Sequence, residues 1–146
     1  EARGGHYKSE LLKDHENAWQ LLLIENNPDL PAEGKGQTIS GRKQLEANQS
    51  SKKYLKLLQT QEQYQGETGL TPEANLTLYL DGLTRNQTAL DDRKGTGKAN
   101  FLVGNYLSGY VQYFHWSREF RRSDLGRSNP GPRRYDLIGC RPTVRF

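Results

Sequence analysis

The residues in this chain that could carry chemistry are one cysteine, three histidines and a cluster of arginines. Cys140 and His115 would make a thiol–imidazole nucleophile pair if the fold brought them together. Cys140, however, sits in the stretch LIGCRP, among strand-forming apolar residues, where a buried and inert thiol is the common outcome. His6, His15 and His115 are far apart and lack a second ligand type at metal-binding spacing, so neither a metal nor a cofactor is expected. GTGK at 95–98 matches part of a phosphate loop. Ala99 stands where that pattern needs Ser or Thr, and the stretch follows a helix end rather than a strand, so it reads as an exposed turn.

The arginines remain. Residues 118–146 hold Arg118, Arg121, Arg122, Arg127, Arg133, Arg134, Arg141 and Arg145 against Glu119, Asp124 and Asp136, and carry the whole excess behind the formal charge of +4. Interleaved arginine and aromatic residues can bind phosphates and stack bases, which makes a nucleic-acid module one reading. Arginines close to acids also form internal salt bridges and carbonyl contacts. Phe114, Trp116, Phe120, Leu125, Leu137, Ile138, Val144 and Phe146 call for a core, which argues against a disordered basic tail. The third reading is a folded surface of loops supported from beneath by strands.

At 146 residues the chain fits one domain, with 33% hydrophobic residues and abundant Gly, Asn, Gln and Ser, which suits a loop-rich fold. No apolar run is long enough to span a membrane. A single cysteine excludes an internal disulfide. The absence of methionine, even at position 1, points to a processed product or a piece of something longer. Asn48, Asn75 and Asn86 occupy N-x-[ST] patterns, a weak sign of secretion.

The elements that must position these groups follow from periodicity. EARGG at 1–5 reads as a flexible or strand-like start. Tyr7 to Ile24 has helical spacing through Leu11, Leu12, Ala18, Trp19, Leu22 and Leu23. Ser40 can cap a second helix with Leu45, Tyr54, Leu55, Leu57 and Leu58 on its stripe. Thr71-Pro72-Glu73 is a strong start for a third, ending near Leu90. After residue 98 β-formers take over: the stretch GYVQYFHWSREFRR predicts a half-buried strand, and SDLGRSNPGPRR predicts turn and loop. Pro142 demotes the last strand to an edge or bulge. The expected class is α+β in a single domain, with residues 1–98 as mainly helical support and 99–146 as a compact antiparallel β/loop binding unit.

The pattern of Trp116, Arg118, Arg122, Asp136, Gly139, Arg141, Pro142, Val144 and Arg145 resembles the C-terminal end of C-type-lectin-like domains of the bacterial and phage kind. That group includes variable ligand-binding proteins of diversity-generating retroelements and the formylglycine-generating enzymes. The resemblance covers roughly the last third of the chain. It implies short antiparallel strands with flanking helices, and a binding face presented before the final strand. Carried over by position, the ligand-binding candidates are Tyr110, Gln112, Tyr113, His115, Ser117, Glu119, Arg121, Ser123, Arg127, Asn129 and Arg133. The framework positions are Trp116, Gly126, Gly139, Arg141 and Pro142. The enzymatic branch uses paired cysteines, and this chain has one, so the expectation is a non-enzymatic domain for a protein or glycan ligand, with nucleic acid as the alternative. A homo-oligomer would be in keeping with related assemblies.

Overall fold

The computed structural model describes residues 21–25, 27, 29–93, 97–105, 110–129 and 135–146. The start at 1–5, the predicted helix as far as residue 20, His6, His15, the first two residues of GTGK, Arg133 and Arg134 lie outside the described residues.

The class is α+β: the described residues form two helices and several antiparallel and mixed sheets. A four-stranded sheet in the order β7-β6-β5-β8 forms the centre: β5 is Ala99–Phe101, β6 Val111–Ser117, β7 Arg122–Ser128 and β8 Ile138–Gly139. All its pairings are antiparallel except β5 with β8. Helix α1, Ser51–Thr60, places Tyr54 and Leu58 in a cluster with Phe101, Val111 and Ile138 on one face of the sheet. Helix α2, Pro72–Asn86, places Tyr79 against Phe114 on the other face, with Leu70 and Leu102. The Tyr79 ring meets Phe114 edge-on at 5.1 Å and lies 5.9 Å from Trp116.

A second sheet, three-stranded, joins distant parts of the chain. Its middle strand is β9, Pro142–Arg145, flanked by β1, Leu22–Ile24, and β4, Glu67–Gly69. Both pairings are antiparallel, with Val144 opposite Leu23 on one side and Glu67 on the other. The first 98 residues therefore supply strands as well as helices, and two of those strands share a sheet with the last element.

Local chemistry explains where the elements differ from the sequence expectation. The α2 start is as read: Thr71 Oγ1 accepts from the Ala74 N–H at 3.3 Å, with Pro72 in the first turn. The helix stops at Asn86 rather than near Leu90, because Gln87 takes a left-handed conformation and the Thr88 N–H turns back to the Gly82 carbonyl. Ser40 does not cap a helix. Ser40 and Gly41 both have positive φ, the geometry of a two-residue hairpin turn, and they join β2, Thr38–Ile39, to β3, Arg42–Lys43. The cap of α1 is Ser50, whose Oγ accepts from the Lys53 N–H. Leu22–Ile24 is strand rather than helix end, held by pairing with β9. Ser123 to Ser128, expected as turn and loop, continues a full strand from Arg122, because β6 offers it a ladder from Val111↔Ser128 to Ser117↔Arg122. Pro142 opens a central strand rather than an edge. As the first residue of β9 it sits where a missing N–H is tolerated.

Candidate site on the β6–β7 hairpin

The described C-terminal arginines separate into different environments. Arg141 is 1% exposed, its guanidinium Nη1 donating to the carbonyls of Glu25 and Asn27 at 3.1 and 2.6 Å and Nη2 to Asp91 Oδ1 at 3.0 Å. Its backbone N–H donates to Asn100 Oδ1, and Asn100 Nδ2 donates to Asn75 Oδ1, both at 2.8 Å. This buried node ties together β1, α2, β5, the segment after α2 and the entry to β9. Burial pushes the Asp91 carboxyl up to about 6, against the opposing pull of Arg141. The same node occupies the Asn75 side chain, which is 2% exposed, so the N-x-[ST] pattern there serves packing. Neither Asp91 nor Asp92 carries a local sequence signal of its partner. Asp92 holds Arg118, with Nη2 2.6 Å from Oδ2.

The hairpin arginines are on the surface. Arg122 pairs with Asp124 at 2.9 Å and lies over the Phe120 ring at 5.2 Å. Arg127 lies over the Tyr110 ring at 5.4 Å. Arg121 is exposed in the turn with φ +49. Among the described residues Arg121 and Arg127 have no ion partner. The apolar companions contradict the expectation of a core: Phe120 is 61% exposed, Leu125 55%, and Leu137 and Phe146 are exposed too, whereas Phe114 and Ile138 are buried.

Register sorts the sequence candidates by face. Tyr110, Gln112, Ser123, Arg127 and Asn129 share a face with Phe114, Trp116 and Leu125. That is the side α2 covers at β6. Leu125 lies directly opposite Phe114, yet it is mostly exposed, so α2 stops at β6 and leaves the β7 part open. Tyr113, His115 and Ser117 lie on the other face with Val111, Asp124 and Gly126. There Tyr113 packs edge-on against Phe101, and its ring covers Gly126 so closely that a Cβ at that position would lie 2.3 Å from it. His115 stacks on Tyr113 at 6.2 Å, and burial, then the charge of Arg93, pushes its pKa down. Ser117 is buried. Glu119 and Arg121 are in the turn and exposed, and Arg133 lies outside the described residues. The candidates therefore do not form one surface. Those of the Gln112–Arg127 face and the turn come together, and Tyr113, His115 and Ser117 do not join them.

The framework positions fall elsewhere. Trp116 packs on Tyr79, Gly139 lies against Leu30, and Arg141 and Pro142 are buried. Cys140 is fully enclosed in the α1 core, and burial pushes its thiol strongly up, so it stays protonated. Among the described residues no group of His, Cys, Asp or Glu could hold a metal ion. No described helix is long and apolar enough to cross a membrane. Sequence reasoning missed Phe120 and Leu125 as surface residues. Their neighbours Glu119, Arg121, Arg122, Asp124 and Arg127 were the available signal, since charged residues gather on the exposed edge strands and turns of sheets. No protein-family model, no characterised protein and no solved structure matches this chain.

Proposed function

We propose that this chain is a non-enzymatic ligand-recognition domain on a C-type-lectin-like scaffold, and that the β6–β7 hairpin is its contact surface. The observation that carries the reading is the exposure of Phe120 and Leu125 on the same hairpin as Arg121, Arg122 and Arg127. Exposed apolar side chains rimmed by charged ones have the composition of an interaction surface. Aromatic and arginine residues give large contact area and directional bonds at limited entropy cost. What supports the scaffold is the combination of helices with short, mostly antiparallel strands, and the place of this hairpin in the chain before the closing strand. The ligand in this reading is a protein or a glycan.

The test is binding of the purified chain to a glycan array and to a displayed peptide library, beside the variant F120S/L125D/R127E. Ligands retained by the parent and lost by the variant, with the circular dichroism spectrum unchanged, support the reading. Retention on heparin or generic RNA at about 0.1 M salt, weakening steeply as salt rises, would instead establish a nucleic-acid module.

A further inference from the structure

The hydrogen-bonding direction of the hairpin is fixed by one contact. The Leu102 N–H donates to the Gln112 carbonyl at 2.9 Å, so the backbone groups of Gln112 point toward β5. Backbone direction alternates along a strand. Val111, Tyr113, His115 and Ser117 therefore face β7, and they engage Ser128, Gly126, Asp124 and Arg122. The N–H and C=O groups of Ser123, Leu125 and Arg127 consequently point away from β6. Among the described residues no strand pairs with that side of β7.

We propose that the outer edge of β7 takes an extended acidic peptide segment of a partner protein as an added strand. This deepens the reading of the hairpin as a ligand surface and rests on it. Main-chain bonds from Ser123, Leu125 and Arg127 supply the pairing, as in other cases of strand addition to a sheet edge. Side chains select the occupant. From residue 118 to 128 there are four arginines and two acids. Both acids sit beside arginines, and Arg121 and Arg127 have no ion partner among the described residues. Leu125 lies between them on the strand, mostly exposed. An incoming strand carrying carboxylates on either side of an apolar residue would complement that row. A second copy of this chain would bring the same excess of positive charge to the edge, which disfavours it.

The experiment measures fluorescence anisotropy of labelled peptides against the full chain. The probe is a short extended peptide with aspartate, valine and aspartate at alternate positions and serine between them, so that all three share one face; the controls are its counterpart with lysine for aspartate and a version N-methylated on alternate amides. The acidic peptide is expected to bind, the lysine peptide to fail, and N-methylation of the edge-facing amides to weaken binding by roughly tenfold or more. Ser123→Pro removes one outward-facing N–H and leaves the β6 ladder intact, so it should weaken binding without unfolding the chain. R127E should abolish the preference for the acidic peptide over the lysine peptide. Absence of binding by the acidic peptide overturns the proposal, and so does concentration-dependent dimerisation abolished by Ser123→Pro, which would assign the edge to a second copy. Binding that is lost in F120S/L125D/R127E but indifferent to N-methylation and to Ser123→Pro also overturns strand addition, while leaving the hairpin as the ligand surface. Ligand binding indifferent to all these variants removes both.

Discussion

Arg141 and Arg127 are the same residue type within one short stretch of chain, and the structure puts them to opposite uses. Arg141 is enclosed and holds carbonyls of β1's exit, a carboxylate from beyond α2 and the Asn100–Asn75 pair. Arg127 stands in solvent over an aromatic ring. A guanidinium can do either because it is always charged and donates in a planar fork. What separates the two roles is the supply of acceptors. Where the fold converges several carbonyls and a carboxylate on one point, arginine becomes a fastener. On an edge strand, with no carboxylate partner among the described residues, its donors stay in solvent.

The largest expected effect tests the fastener. Arg141→Ala leaves Asp91 buried without its cation and should destabilise the fold by roughly 3–5 kcal/mol, read from urea unfolding. A cost under about 1 kcal/mol would mean that the node is dispensable and that the contrast with Arg127 is empty.

The next is a pH effect on the same node. Asp91 has a folded pKa of about 6 against an ordinary value of 3.8. Between those values the folded state holds the proton more often than the unfolded state does. The contribution of this group is therefore most favourable below about pH 4, falls as pH rises to about 6, and is flat above. The fall should be on the order of 2–3 kcal/mol in parent minus Asp91→Asn stability, measured by denaturant titration across that window. A difference that instead rises with pH would show that Arg141 outweighs burial.

Gly126 sharpens the division between the two faces of the hairpin. A Cβ there meets the Tyr113 ring, so Gly126→Ala should cost roughly 1–3 kcal/mol in thermal or urea unfolding. At the neighbouring position the opposite holds. Leu125→Ser and Arg127→Ser should each change stability by no more than about 0.5 kcal/mol, because both side chains are solvent-facing. If either destabilises the chain as much as Gly126→Ala, the open face is part of the core and the contact surface lies elsewhere.

The sequence showed what is written in neighbouring residues. Thr71, Pro72 and Glu73 specify a helix start within one turn, and α2 begins there. The β character of 111–117 was plain from its aromatic and β-branched residues. What depends on a distant partner was not visible. Ser123 to Ser128 has the composition of a loop and becomes a strand only because β6 lies beside it. Asp91 looks like a turn residue, and its partner is 50 positions away. The candidate ligand residues were chosen by position along the chain, but which of them share a face is set by the register. That is why Tyr113 and His115 fell on the enclosed side while Leu125, taken as core, fell on the open one.

The middle strand β9 has a kinetic consequence. It joins β1 and β4, so residues 22–24 meet residues 143–145 only after nearly the whole described chain has been brought together. Closing so long a loop costs chain entropy before any of its contacts repay it. Folding of this chain should therefore be slow for its size, in the range of milliseconds to seconds typical of topologies rich in non-local pairing. Until β9 arrives, the edges of β1 and β4 stand open, and that interval is when the chain is most exposed to joining the wrong strand.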